Sequence, residues 1–593
     1  MRISHVRIKN FRNLTDISVP MHKVTTVIGN NDSGKSNFLK ALTLPLLSDD
    51  IGHNNKNLSW NDIGNFAKEK YYDFIISNKA SLIDGSIDLE KFIEVIPLVS
   101  VRLDWVVDAE EKYIAKEFLS ELTPERATYA IEYNFKCKKP QNLFNRVKDI
   151  LTKTGTKFNI KELQQNLLPM DDFGYSIFVP YKDKSISFDV LSNFKYNSIA
   201  AERDEFSSNN SKVGSRSLIQ ILKNKLSSDN LIKLEKEYAD FFEQIKTLSN
   251  MEEILNWQDA SELDHASDFF SKISILPNMP PMDSLLNSVK LGYEDTGLSL
   301  HGLGYRNLIL QLVLMNSLVE VSNTIFSLLT IEEPEAHLCY RNEQIMRSYI
   351  QSLNNNNDKV QLVYSTHSTQ FINKLNLQNV ILLNEGEAIS FKEEFTDNQL
   401  AYFSKNPNLD LFKLFYSKRC ILVEGITEEL LVKAYLNSRN MLSDIEVISF
   451  HKGYTKILDL WKKINKNTNN KIGIIRDYDN QQNAKEVHDR YDDNTSIFIR
   501  TTEGYTLEDD IVSKGDNYQV LKTYFTDKYS WEDIDTPELL SEKWKSSKAE
   551  VMLRFCQDIY LPELSDFELP AHIATVVAKL EVTMGEVGEV NED

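Results

Sequence analysis

The sequence is poor in cysteine and places no two of its thiols near each other. Cys137, Cys339, Cys420 and Cys556 are the full set. No pair forms a CxxC, which argues against a zinc ribbon or a disulfide framework and fits buried thiols in a reducing cytoplasm. Long apolar runs are missing too: none approaches the roughly 18 residues a membrane span needs. The first residues, MRISHVRIKNFRNL, alternate apolar and polar side chains where a signal peptide would carry an apolar stretch. A cytoplasmic protein with no membrane partner is expected. Positive charge is also in deficit. With 67 Lys+Arg against 87 Asp+Glu, the formal net charge is −20. That balance repels nucleic acid, so any DNA contact has to rely on local basic patches or metal ions.

What is present is an ordinary globular composition, 41% hydrophobic and 26% charged, on 593 residues. That length is about three to five domains' worth of material. The chain opens as strand, turn, strand, loop, helix: Ile3, Val6 and Ile8 mark one strand, KVTTVI from Lys23 a buried one, and NFLKALTLPLL from Asn37 a helix. Residues 50–70 are Asn-rich and read as loop. Strand-like runs (Val99–Val107, Thr128–Phe135) alternate with helical pieces to about residue 200. After the linker-like SSNNSKVGSRS, residues 208–286 carry apolar side chains at three- and four-residue spacing. This predicts a helical insertion that either packs on its own domain or dimerises. The α/β pattern then resumes and crosses a second boundary near 395–405. We divide the chain into 1–207 and 287–400 (two parts of one α/β ATPase domain), the insertion 208–286, and a second α/β domain, 401–593.

The clearest motif is Gly29-Asn30-Asn31-Asp32-Ser33-Gly34-Lys35-Ser36, a GxxxxGK[ST] loop between a β run and a helix that continues through Asn37. Its backbone N–H groups would wrap ATP phosphates, Lys35 would reach the β and γ phosphates, and Ser36 would ligate Mg²⁺. The apolar run Phe326–Ile331 ends in Glu332 and Glu333, a Walker B layout. There Glu332 would hold the Mg²⁺ shell and Glu333 would orient the attacking water. His367, one strand further on, stands where a γ-phosphate sensor belongs. LSLHGLGYRN, with Ser299 and Gly302, resembles an ABC signature loop, though it departs from LSGGQ. That order of motifs, with IKNFRN and Ile199-Ala-Ala-Glu-Arg203-Asp, resembles RecF-like and SMC-like ABC ATPases. The resemblance implies paired heads that sandwich ATP.

A second constellation follows. CILVEGITE is an apolar strand ending in Glu424 and Glu428, and IGIIRDYD is another ending in Asp477 and Asp479. Alternate residues of an extended DxD point the same way, so both aspartates can face one hard cation such as Mg²⁺ or Mn²⁺. Two-metal phosphodiester cleavage, with ions about 4 Å apart, needs several acids converging. Glu428 and a later acid in GYTLEDDI, Glu508 or Asp510, would serve the second ion. Residues 452–476 hold seven Lys/Arg and one Asp. They read equally well as a DNA-phosphate track or a solvated helix face.

Three βα units carrying Glu, glycine and DxD resemble the Toprim fold. ATPase head followed by Toprim, over nearly the whole chain, resembles the OLD (overcoming lysogenization defect) family, which includes the Gabija nuclease subunit and nucleases of some retron systems. The resemblance implies DNA cleavage or nicking, a homodimer or homotetramer, and antiphage defence. The same likeness implies a further acid after DxD, which Glu508 matches better than Asp510, and a basic residue beyond it to stabilise transition-state charge, for which Lys548 is chosen with Lys543 and Lys545 as close competitors. It also implies a defence partner: a helicase subunit, or a reverse transcriptase with its RNA–DNA product. Two other readings compete: a RecF/SMC-like DNA-binding ATPase clamp with an inactive Toprim domain, and a Toprim polymerase or topoisomerase. The last lacks a primase zinc motif and a convincing nucleophilic tyrosine.

Overall fold

The computed structural model describes residues 1–48, 56–123, 127–154, 159–182, 184–200, 222, 226–249, 291–320, 324–356, 359–372, 374–405, 409–415, 417–442, 444–450, 455–466 and 468–581. Three sheets of four or more strands organise them. The first is antiparallel, in the order Leu14–Pro20, Arg2–Phe11, Val99–Val106, Ala127–Cys137, Phe173–Val179 and Lys184–Ser185, with Leu119–Leu122 beside Ala127–Cys137. The second runs Glu387–Ser390, Val380–Asn384, Val24–Gly29, Val360–Thr366, Phe326–Glu332, Phe194–Ile199 and Leu47–Ser48. It is parallel except for the hairpin of its first two strands. The third is wholly parallel: Glu446–Ser449, Arg419–Val423, Lys471–Arg476, Ile497–Thr501.

Parallel strands buried on both faces read as continuous apolar runs. Phe326–Ile331 is buried along its whole length for that reason. The helix Lys35–Thr43 lies between the first two sheets, its Phe38, Leu39 and Leu42 in one core with Ile3, Val6 and Ile8. The other face of the second sheet is covered by the helices Leu303–Glu320 and Tyr340–Asn356 through Leu310, Met315, Met346 and Ile350. In the third sheet the period of two divides neighbours: Ile421 and Val423 face one core, Cys420 and Leu422 another. The first of these cores is closed by the helices Ile426–Ser438, Lys548–Asp558 and Ala571–Leu580. The second joins the third sheet to the second, because Phe391, Phe395, Phe403, Phe412 and Phe415 fill the space between them together with Ile28 and Leu382.

Several expectations are adjusted. Residues 65–70 belong to the helix Asn65–Ser77, not to a loop. Ala67, Lys68, Tyr71, Tyr72 and Ile75 are buried, while Asn65, Glu69 and Lys70 are exposed. Of the insertion 208–286, the helix Ser228–Leu248 is described. Most of its remainder, with Arg203 and Gly453, lies outside the described residues. Among those described, no helix is long and apolar enough to cross a membrane.

Candidate functional site

Two clusters of chemistry stand at strand ends. In the first, the strand Val24–Gly29 runs into the loop 29–34 and then the helix Lys35–Thr43. Gly34 has φ 104°, and a Cβ there would lie 2.8 Å from Asn13 Oδ1, so only glycine fits. Lys35 folds back and donates to the carbonyls of Gly29 at 3.0 Å and Asn30 at 2.7 Å. Burial lowers its pKa to about 8, against the opposing pull of Glu333, Glu335 and Asp32. Asn31, Asp32 and Ser36 are exposed, and the Ser33 hydroxyl is buried without a partner.

The strands Phe326–Glu332 and Val360–Thr366 pair in parallel and bring Glu332 beside Ser365. Glu333 takes a left-handed backbone (φ 43°) with its N–H on the Ser365 carbonyl at 3.0 Å. Non-glycine residues in that region gather at functional sites. Its Oε1 lies 2.9 Å from His367 Nε2. Burial and the Lys35 charge lower the His367 pKa, which Glu333 partly opposes.

Two features of this cluster are not visible as motifs. Glu335 Oε1 accepts from Thr366 Oγ1 at 2.5 Å and from the N–H groups of His367 at 2.9 Å and Ser368 at 3.2 Å. It therefore fixes the histidine loop, although burial still raises its pKa. Arg12 pairs with Asp62 at 2.8 Å and donates to Asn37 Oδ1 at 2.8 Å, beside a cavity of about 800 Å³ next to the P-loop helix. The signature-like segment is a short turn, Leu298–Leu300, before the helix Leu303–Glu320. Leu300 is 79% exposed, and a Cβ on Gly302 would meet nothing within 4 Å.

In the second cluster, three adjacent strands of the third sheet end at Glu424, Asp477 and Thr502. Glu428 sits on the first turn of the next helix, and Glu508 on that of the helix Leu507–Ser513. Glu428, Asp477 and Glu508 are buried, and each keeps one carboxylate oxygen without a hydrogen-bond partner. Burial and the charge of Glu428 raise Asp477 to about 8. Burial also raises Glu424, which Arg476 opposes from 3.8 Å. Asp479 is partly buried, with a left-handed backbone (φ 49°). Lys548 Nζ lies 3.2 Å from Glu508 Oε2. Burial alone would lower that ammonium, but Glu508, Asp477 and Glu428 raise it overall.

The three candidate lysines thus separate: Lys548 faces the acids, Lys545 pairs with Asp509 at 2.5 Å, and Lys543 lies over the Trp531 ring. Asp510 is committed elsewhere, to the N–H groups of Glu503 and Gly504 and to His572. Arg476, buried with two unpartnered N–H groups, is a member the sequence reading did not single out. The basic run divides: Arg476 belongs to the acid cluster, whereas Lys462 and Lys463 close the helix Thr455–Ile464 and Lys471 opens a strand, so these three lysines stand toward the strand ends opposite Glu424 and Asp477. As they stand, no three His, Cys, Asp or Glu side chains among the described residues close on a single point. The donor set is nevertheless all carboxylate oxygen, which suits Mg²⁺ or Mn²⁺, and the buried unpartnered oxygens are atoms such an ion would satisfy.

The AAA ATPase domain family is matched over residues 1–372. Endonuclease GajA of Bacillus cereus (strain HuB5-5) is 25% identical over 251 residues, 34% of this chain and 36% of that protein. The match therefore spans about a third of that relative's length. The fold is similar to the C-terminal region of the Xanthomonas campestris pv. campestris OLD protein (18% identity, 28% of this chain and 95% of that one, TM-score 0.22). It is also similar to the SMC head domain from Thermotoga maritima (14% identity, 65% of this chain and 97% of that one, TM-score 0.26). At such TM-scores these two likenesses carry no argument about function.

Proposed function

The chain belongs to the AAA ATPase domain family, and from that premise we propose that it is an ATP-regulated, divalent-metal-dependent DNA endonuclease or nickase. ATP would bind at Gly29–Asn37, and DNA would be cut at a Toprim-type centre. The observation that carries the reading is the set of buried, unpartnered carboxylate oxygens on Glu428, Asp477 and Glu508, with Lys548 against them. A folded core leaves such atoms unpaired only at a cost of about 1–3 kcal/mol each. Charge supports the same view. When ionised, Glu424, Glu428, Asp477, Asp479 and Glu508 outnumber Arg476 and Lys548 by three charges. Two divalent ions would turn that excess into a single positive charge, which one phosphodiester neutralises. The similarity to an endonuclease, GajA, points the same way.

Bound divalent ions would supply Lewis acidity and a water acidic enough to attack at neutral pH. Glu424, Asp477 and Asp479 would hold one ion, and Glu428 and Glu508 a second. Lys548 would place its ammonium against charge developing on the phosphate oxygens. In the ATPase half, Glu333 would hold the proton-accepting position beside the γ-phosphate, with His367 orienting it. The exposed signature-like turn would reach nucleotide held by a second copy, so a homodimer or larger homo-oligomer is part of the proposal. So is a role in antiphage defence beside a partner subunit.

Supercoiled-plasmid cleavage with Mg²⁺ or Mn²⁺, wild type against Asp477→Ala, with and without ATP, tests it. Metal-dependent nicking that the variant lacks is the expected result, and the ATP lanes give the sign of control. Equal activity in the variant would sink the assignment of this centre. No cleavage by either protein would favour the DNA-binding clamp.

A further inference from the structure

The loop joining the fourth strand of the acidic sheet to the Glu508 helix is pinned at every turn. Asp510 accepts the N–H of Glu503 at 2.9 Å and of Gly504 at 2.6 Å. Thr502 Oγ1 donates to the Gly504 carbonyl at 3.0 Å and accepts the Tyr478 N–H at 2.9 Å. The Asp479 N–H donates to the Tyr505 carbonyl at 3.2 Å, and the Thr506 N–H donates to Asp509 at 3.1 Å. Two side chains of this fixed loop are exposed, the carboxylate of Glu503 and the aromatic Tyr505, the latter 50% exposed. The Tyr505 carbonyl is tied to the Asp479 N–H and the residue stands three before buried Glu508, so its backbone lies beside the carboxylate cluster. On the far rim, two residues after Glu424, Ile426 is 53% exposed. The strand order places Asp477 between the two.

Single exposed apolar side chains are common and need no explanation. This one differs in its position and in the rigidity of its support. The chain's net charge of −20 also weakens phosphate tracking, and Lys462, Lys463 and Lys471 lie toward the strand ends away from the acids. An uncharged contact would supply affinity where charge does not.

We propose that Tyr505 is a stacking platform for an unpaired base of the DNA strand whose phosphodiester lies at Glu424, Glu428, Asp477 and Glu508. The inference rests on the nuclease reading above and adds a substrate preference to it. In a duplex the base faces are already stacked, so the ring gains nothing from paired DNA. Single-stranded, gapped or frayed DNA offers a free face, and because every base has one, the contact is tolerant of sequence.

The test uses the full chain as wild type, Tyr505→Ala, Tyr505→Phe and Asp477→Ala, with Mn²⁺. The probes are single-stranded and fully paired oligonucleotides carrying 2-aminopurine. Half-saturation, turnover and fluorescence quenching are read separately. Tyr505→Ala should raise the half-saturating concentration of the single strand roughly 5- to 150-fold, the range that loss of one stacked base gives. It should also abolish quenching and leave turnover at saturation within about twofold. Tyr505→Phe should retain both, and paired DNA should shift less than about twofold. Unchanged half-saturation and quenching in Tyr505→Ala, or an equal loss on paired and unpaired DNA, would overturn the stacking role. If Asp477→Ala cuts as well as wild type, the nuclease reading fails and this inference falls with it. If Asp477→Ala is inert and Tyr505→Ala is normal, only the stacking role is lost.

Discussion

Asp477 shows how much a single residue can report. Burial and the neighbouring Glu428 hold its carboxyl up to about 8, against an unperturbed value near 3.9. Between those pH values the folded chain keeps a proton that the unfolded chain has released, so stability falls as pH rises through the window. Below it the carboxyl is protonated in both states and the penalty disappears. Metal-free Asp477→Asn should therefore match wild type near pH 4 and exceed it by roughly 2–5 kcal/mol at pH 8 to 9 in urea unfolding. Adding Mn²⁺ at pH 8 should reverse the order, because only the carboxylate gains a ligand bond. Metal-free profiles that keep the same separation from pH 4 to pH 9 would mean the carboxyl at 477 is not held protonated. At this scale the sequence was most informative where a motif follows a strand, at the helix start of Lys35 and at the strand ends before Glu333 and Asp477. It was least informative where a role depends on a distant partner. Glu335 acts on a loop 31 to 33 residues away, and Arg476 acts on Glu424 across a strand pair. Lys548 differs from Lys545 only in which acid its ammonium meets.

The elements are held by close approaches that a pattern of apolar residues does not disclose. Gly473 lies mid-strand beneath the helix Ala571–Leu580, and a Cβ there would stand 2.2 Å from Val576 Cγ1 and 3.1 Å from Leu580 Cδ1. Gly473→Ala must push that helix outward and should destabilise by about 1–3 kcal/mol in urea. Gly302→Ala, with open space around the new methyl, is the control and should unfold near the wild-type midpoint. Similar losses in both would show a general backbone effect. The strands were legible because parallel pairing demands unbroken apolar runs. The helix Asn65–Ser77 was not, at its start, because a surface turn made of Asn, Lys and Glu carries the composition of a loop. Of its first six residues only Ala67 and Lys68 are buried, and the large buried side chains begin at Tyr71.

At the scale of the molecule, the two candidate sites share one apolar core. Ile28, one residue before the P-loop, and Leu422, two residues before Glu424, belong to the same cluster, bridged by Phe391, Phe395, Phe412 and Phe415. The turn Thr369–Phe371, just past His367, packs on the segment Leu409–Phe415 that leads into the Glu424 strand. Close-packed cores transmit displacement because they have little void to absorb it. A nucleotide that moves the His367 loop therefore has a packed route to Glu424, and a coupling of 1–3 kcal/mol would change nicking about 5- to 150-fold. Spatial continuity alone does not establish coupling, so two variants separate the possibilities. Lys35→Ala should lose ATP binding, keep ATP-free nicking and erase the difference between lanes with and without ATP. Phe412→Leu, which trims the bridge without touching either site, should keep ATP affinity within about twofold while shrinking the ATP-dependent change in nicking at least about threefold. If Phe412→Leu leaves that change intact, ATP controls the nuclease by another route, with exchange between subunits the first to examine. If Lys35→Ala retains the full ATP response, the nucleotide that matters is not bound at Gly29–Asn37.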